Sequence, residues 1–291
     1  MILMALPAVV VVLLFGYIPI SGIILAFKDF KYNLGIFRSP WAGFENFRFF
    51  FISGTGFLVT RNTILYNLLN LATSQFLAVT LAILISEMRG VYFKKIAQSI
   101  TFLPYFISWI IVGVFVYNIF NYEKGTLNTL LKSLHAAPIN LYSKPFAWVF
   151  IISFFNSWKW VGYSSLVYIA AIMSINMECF ESADIDGANI FQKIRHITIP
   201  SITPTITIIV LLNIGRLLRG DFQMFYQIIG DNGQLFNATD VIDTFVFRSL
   251  IHSGDLTMAS AANFYQSVLC FIIIMTVNSV VKKLRPDYAL F

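Results

Sequence analysis

Three basic side chains stand where cations are costly. Lys159, Arg216 and Arg219 fall inside apolar runs of a chain that is 58% hydrophobic and 12% charged. Near the middle of a membrane helix each such cation costs about 3 kcal/mol on insertion scales, so it normally faces a bundle interior or an aqueous path. Asn156 and Asn213 lie in the same runs. Arg216 and Arg219 are three apart and are expected to share a helix face. These residues suit a cavity lined with hydrogen-bond donors for the hydroxyls or carboxylates of a solute. Competing readings are snorkelling to the outer interface and an internal pair such as Arg219 with Asp221. Catalysis is not expected. His135, His196 and His252 are scattered, and no Ser/His/Asp or paired-carboxylate arrangement stands out. Cys179 and Cys270 have neither disulfide-framework nor metal-site spacing, so no metal is expected. Gly215 and Gly220 have the spacing of the outer glycines of a phosphate-binding loop. Asp221-Phe222 replaces the Lys-Ser/Thr that such a loop needs, so ATP hydrolysis by that mechanism is excluded here.

A second feature is a polar island at 181–200, ESADIDGANIFQKIRHITIP. Glu178, Glu181, Asp184 and Asp186 precede Gly187, and Gln192 to His196 follow it. Glycine adopts backbone conformations closed to other residues, so Gly187 suits a turn between two short helices. Acids in the first piece and bases towards the end of the second suit the two helix dipoles. Pro200 restricts the residue before it, which would set the angle at which the chain enters the next apolar run. An ordinary solvated loop is the competing reading.

The elements that carry these residues are membrane spans. Mean hydropathy is +0.76, and the charged fraction is half the roughly 25% of a soluble domain. The expected fold is an all-α integral membrane protein with six spans, near 2–27, 64–85, 99–120, 145–175, 201–222 and 259–281, each long enough to cross about 30 Å of hydrocarbon. Pro104 is expected to kink the third. Trp158, Trp160 and Tyr163 lie in the fourth, where interfacial anchoring is the plain reading. Arg89, Lys94 and Lys95 crowd the short 86–98 loop, and Lys193, Arg195, Lys282, Lys283 and Arg285 fall on the same side. Outer loops hold a comparable number over many more residues, so the positive-inside rule supports this orientation by density. The net charge of +6 therefore reads as topology, and no nucleic acid is expected. No cleavable signal peptide is expected, because the first apolar run is too long and lacks a basic flank. Met1 is read as an internal start that follows a short basic tail.

The island resembles the EAA loop of ABC importer permeases, which runs Glu-Ala-Ala, three residues, Gly, then Ile-x-Leu-Pro. Glu181, Ala183, Asp186, Gly187, Ala188, Ile197 and Pro200 fit; Ser182 replaces an Ala and Ile199 a Leu. Gly43, Phe44, Asn46 and Phe47 match a second family stretch, and Arg61-Asn62-Thr63 resembles the pair that opens the core helices. The segment 240–248, DVIDTFVFR, resembles a stretch of the polysaccharide branch of the maltose-type sugar permeases, including permeases for alginate-like uronate oligomers.

That resemblance covers nearly the whole chain and implies the ABC type I importer permease fold. It implies a first helix and external loop at 1–60, a five-helix core at 61–281 with the coupling loop at 178–200, and a cytoplasmic tail at 282–291. It implies a multi-pass protein of the bacterial cytoplasmic (inner) membrane with both termini inside. The partners it implies are a second homologous permease, two ATPase subunits carrying ATP and Mg, an external solute-binding protein and a saccharide. No cofactor is expected in this chain. Glu181, Ser182, Ala183, Asp184, Asp186, Gly187, Ala188 and Pro200 would couple to the ATPase. Asn156, Lys159, Trp160, Asn213, Arg216 and Arg219 would line the sugar path, and Asp240, Asp243 and Arg248 would dock the binding protein. An ion-coupled secondary transporter is the first rival, but no convincing internal repeat is seen. A membrane-embedded glycosyltransferase is the second, with Asp240 and Asp243 its faint catalytic candidates.

Overall fold

The computed structural model describes residues 2–284. Among them every regular element is helical, and a single isolated bridge joins Lys28 to Trp41. Apolar runs of this length become helices because hydrocarbon offers backbone groups no partner but each other. Helical counterparts exist for all six expected spans. Thr55–Glu87, Ile190–Ile214 and Leu256–Lys283 are long apolar helices, and Leu6–Phe27 is helical through changes of pitch. The fourth, Pro145–Met173, turns through 70° into Met177–Ile185. Residues 285–291 of the expected tail, Arg285 among them, lie outside the described residues.

The third span is broken rather than kinked. Val91–Phe106 and Trp109–Phe120 meet at 91°. Pro104 sits in a short 3-10 turn, Leu103–Phe106; Ile107 is extended, and Ser108 caps the next helix by accepting from the Ile111 amide at 3.4 Å. A proline removes one amide donor, and the extended residue after the turn frees further carbonyls.

The fifth span ends at Ile214, and Gly215–Leu218 forms a non-helical turn. Arg216 and Arg219 therefore lie beyond the helix, and the shared helix face expected for them does not exist. Signals for this stop were present. Asp221 caps the next helix, Phe222–Ile229, by accepting from the Met224 amide at 3.1 Å, and Gly215 and Gly220 flank the turn.

The chain forms two compact units. One contains residues 2–63, 218–220 and 240–271. Its core gathers Phe50, Val59, Ile242 and Ala262, with Phe245 and Tyr265 packed against them. The other contains residues 64–217, 221–239 and 272–284. Its core gathers Ala78, Ala82, Ile85, Tyr168 and Ile169, where the second and fourth spans pack. Gly162 makes close packing possible on the fourth span, since a Cβ there would overlap the Thr101 carbonyl.

Candidate functional site

The polar island forms a helix, a tight turn and a second helix. Asn176 caps Met177–Ile185, its side chain accepting from the Glu178 amide at 3.1 Å. Gly187 then takes φ 75°. The Ala188 amide donates to Ala183 at 2.9 Å and the Gly187 amide to Asp184 at 3.1 Å, the paired 6→1 and 5→2 bonds of a Schellman stop. Asn189 starts the next helix with a capping box, exchanging bonds with Gln192 at 3.0 and 2.7 Å. The expected turn at Gly187 is thus present.

Two expectations about this segment need correction. The second helix does not end in the basic run. Ile190–Lys193 passes through a π-turn, Ile194–Thr198, into Ile199–Ile214. Lys193, Arg195 and His196 therefore do not sit at a helix C-terminus. Asp184, by contrast, lies in the last turn of its own helix, where the dipole disfavours an acid. Lys193 compensates with a 2.6 Å ion pair that staples the two helices together. Pro200 also fails to push its neighbour out of the helix: Ile199 has φ −62° and ψ −48°. The wider π-turn just before it makes room for the ring and the missing donor.

Glu181, Ser182, Asp184, Asp186 and Pro200 are exposed, and Ala183 and Ala188 are half-buried. Ala183, Asp186, Gly187, Ala188, Gln192, Lys193, His196 and Ile197 line a hollow of about 300 Å³. Ile185 and Phe191 beside it are 87% and 79% exposed. The segment is a rigid knob that presents acids and large apolar side chains together.

Lys159 is only 6% exposed. Its ammonium donates to the carbonyls of Tyr105, at 3.0 Å, and Ile107, the groups left over where the third span breaks, and lies 5.3 Å from the Trp109 ring centre. Trp109 in turn donates its indole N–H to Asp221 at 2.7 Å. Lys159 is therefore committed to the break. Nothing in the sequence signalled this, because the partners lie more than fifty residues away. Trp160 is half-buried in an aromatic group, 5.4 Å from Tyr105, while Tyr105 and Tyr163 stack at 4.6 Å. Asn156 is buried and donates to Ser74 at 3.4 Å, beside a Ser157–Thr73 bond of the same length. Asn213 is exposed and bonds back to Ile209, and Arg216 and Arg219 are exposed. The polar face of the second span was missed: Asn70, Thr73 and Ser74 recur at helical spacing, a stripe that could have been counted.

Of the three side chains expected to dock a binding protein, Asp240 is buried and Asp243 and Arg248 are half-buried. Asp240 is 3% exposed and takes a bidentate pair from Arg248, at 2.6 and 3.1 Å. The Asn62 side chain donates to the Asp240 carbonyl at 3.0 Å, and the Thr63 hydroxyl accepts from the Ile242 amide at 3.0 Å. Asp243 accepts from the Gly220 amide at 2.8 Å and from Gln266. Burial pushes the Asp243 carboxyl up, while the Gly220 and Gln266 bonds and the Arg219 charge pull it down. These residues tie segments of the chain together.

Residues 78–285 match the family described as the binding-protein-dependent transport system inner membrane component. The chain belongs to that family. This permease is 31% identical to protein LplB of Bacillus subtilis (strain 168), over 98% of this chain and 89% of the relative. It is also 31% identical to the polygalacturonan/rhamnogalacturonan transport system permease protein YteP of the same organism, over 98% and 88%. Among solved structures it resembles a chain of a bacterial alginate ABC transporter in complex with an alginate pentasaccharide-bound periplasmic protein. That match has a TM-score of 0.86 and 30% identity, and covers 97% of this permease and 93% of that chain. The permease thus has the type I ABC importer fold that the resemblance implied, and it is a multi-pass inner membrane component.

Proposed function

We propose that this permease moves oligo- or polysaccharides, acidic alginate-like ones included, by alternating access. Met177–Ile185 is the coupling helix. It seats in a cleft of a separate ATPase, which holds the ATP and Mg. A second homologous permease completes the pore, two ATPase copies drive it, and an external solute-binding protein delivers the sugar. The core is residues 61–281, and both termini and the 178–200 loop face the cytoplasm. The observation that carries this reading is the knob itself: a capped helix stopped at Gly187, stapled by Asp184–Lys193, with exposed Ile185 and Phe191 to fill a partner's cleft. Force can pass through non-covalent contact only if the knob is stiffer than the joint. Asp240, Asp243 and Arg248 hold the outer loop in place rather than docking a partner, and Lys159 holds the broken span. The exposed Arg216 and Arg219 remain as cations for an anionic substrate, with Asn156, Trp160 and Asn213 as polar or stacking groups along the path.

The test is ATPase activity of the co-expressed complex in liposomes, with its binding protein and either neutral maltodextrins or uronate oligosaccharides. Saccharide-stimulated hydrolysis is the expected result. Sugar uptake driven by an ion gradient with no ATPase present would establish the secondary-transporter rival instead.

A further inference from the structure

The second and fourth spans share a polar seam that their own hydrogen bonds leave unfinished. Asn156 donates to Ser74 and Ser157 to Thr73, both at 3.4 Å. Later in both helices Tyr168 donates to Gln75, and Ala78, Ala82 and Ile85 pack with Tyr168 and Ile169. Later residues of one span thus meet later residues of the other, so the two helices run in the same direction. Residues four apart share a helix face. Asn70, one turn before Ser74, therefore comes level with Ser153, one turn before Ser157, and Tyr66 lies a further turn back. Four side-chain atoms in this stretch are closed off from solvent and have no hydrogen-bond partner in the chain. They are the Tyr66 hydroxyl, Asn67 Nδ2, Asn70 Oδ1 and Ser153 Oγ. Tyr66, Asn70 and Ser153 are at most 8% exposed. The Tyr66 ring is held edge-on, 5.0 Å from the buried Phe225 ring. A serine hydroxyl donates and an amide oxygen accepts. Ser153 and Asn70 would bond directly if they touched, so the helices stand more than one hydrogen bond apart at this level.

We infer that bound water joins the two spans here, at an internal hydration site made by Tyr66, Asn67, Asn70 and Ser153. The site follows from burial and hydrogen bonding alone and does not depend on the transport reading. Buried polar groups left unmet are costly, and native proteins meet them with protein atoms or ordered water. Lipid cannot serve, because hydrocarbon has no hydrogen-bonding group to offer. The four groups are neutral and mixed. Asn67 Nδ2 only donates, Asn70 Oδ1 only accepts, and the two hydroxyls do both. A cation would face the amide N–H, and an anion the amide oxygen. Water donates and accepts, and a buried molecule makes about three such bonds, so on the order of one or two waters serve the set. A polar contact too long for a direct bond is the usual place for such a bridge.

The test is hydroxyl-radical footprinting by X-ray radiolysis of the full chain in nanodiscs. Radicals form where water sits, so a buried side chain is oxidised quickly only if water lies beside it. Tyr66 should be oxidised severalfold faster than Tyr168, which is just as buried but has Gln75 as its partner. Ser153→Ala removes one hydroxyl and little packing. It should slow Tyr66 oxidation and lower the unfolding temperature, because the water loses a bond. Asn70→Leu should slow Tyr66 oxidation further by filling the space; if that variant does not fold, Ser153→Ala carries the test. Tyr66 oxidised no faster than Tyr168 would overturn the site. A higher unfolding temperature in Ser153→Ala would also overturn it, since deleting a hydroxyl that is dry and unmet stabilises the fold.

Discussion

A buried lysine can be held mainly by acceptors that broken backbone supplies, with a carboxylate, here Asp221, acting on it only across an aromatic ring. Lys159 does so with the carbonyls of Tyr105 and Ile107. Removing the ammonium strands both, and an unsatisfied buried polar group costs about 1–3 kcal/mol. Lys159→Met should therefore lower the unfolding temperature and cut transport of neutral and acidic sugars alike. Lys159→Arg should recover part of both. A Lys159→Met permease with intact stability but reversed charge preference would return Lys159 to the sugar path. Asp243 makes a pH prediction. Its folded-state carboxyl lies above the usual range because it is buried. Such a group favours folding most when protonated, below its unfolded value near 4, and that contribution is lost as pH rises through the folded value. Compared with Asp243→Asn, which keeps an acceptor for the Gly220 amide, the wild-type permease should lose stability as pH rises from about 4. Thermal melts of both proteins across that range should diverge in that direction; parallel curves would mean that folding does not raise the Asp243 carboxyl at all.

At the scale of elements, the proposed coupling knob depends on one left-handed residue, Gly187. A non-glycine residue in that conformation costs about 1–2 kcal/mol, with Asn among the better tolerated. Proline cannot take φ 75° and would also remove the Gly187 amide that donates to Asp184. Gly187→Pro is thus expected to abolish sugar-stimulated ATPase while the chain still inserts, and Gly187→Asn to keep most of it. Full coupling in the proline variant would mean the stop is not needed. Gly187 was legible because the residue type and the turn requirement coincide. The six spans were legible because hydrocarbon thickness and helical pitch together set their length. The right-angle break at 103–108 was only half legible. Pro104 announces a disturbance, but its size depends on Lys159 arriving from another helix to satisfy the carbonyls. The fate of Asp240 and Arg248 was hidden for the same reason. Eight residues apart, they read as exposed loop charges until Asn62 and Thr63 are seen to fix the segment from the start of the second span.

At the scale of the whole molecule the decisive question is which side of the membrane the knob faces. In the topology proposed above, an even number of spans returns the chain to its starting side, and the density of Lys and Arg is the argument for grouping 86–98, 176–200 and the C-terminal end. The two native cysteines allow a direct test. Cys179 is exposed on helix Met177–Ile185, and Cys270 is partly buried within the sixth span. A membrane-impermeant maleimide needs water access and a thiolate, so it should modify Cys179 and leave Cys270 nearly untouched. In right-side-out cells Cys179 should stay unlabelled. In inverted vesicles it should label, and Cys179→Ser should remove that signal. Co-expressing the ATPase should slow the reaction several-fold, because a seated coupling helix loses solvent access on the face that enters the cleft. Labelling from outside intact cells would invert the topology and take the coupling role away with it. Inside-only labelling that the ATPase does not slow would keep the topology but move the contact to another part of the inner surface.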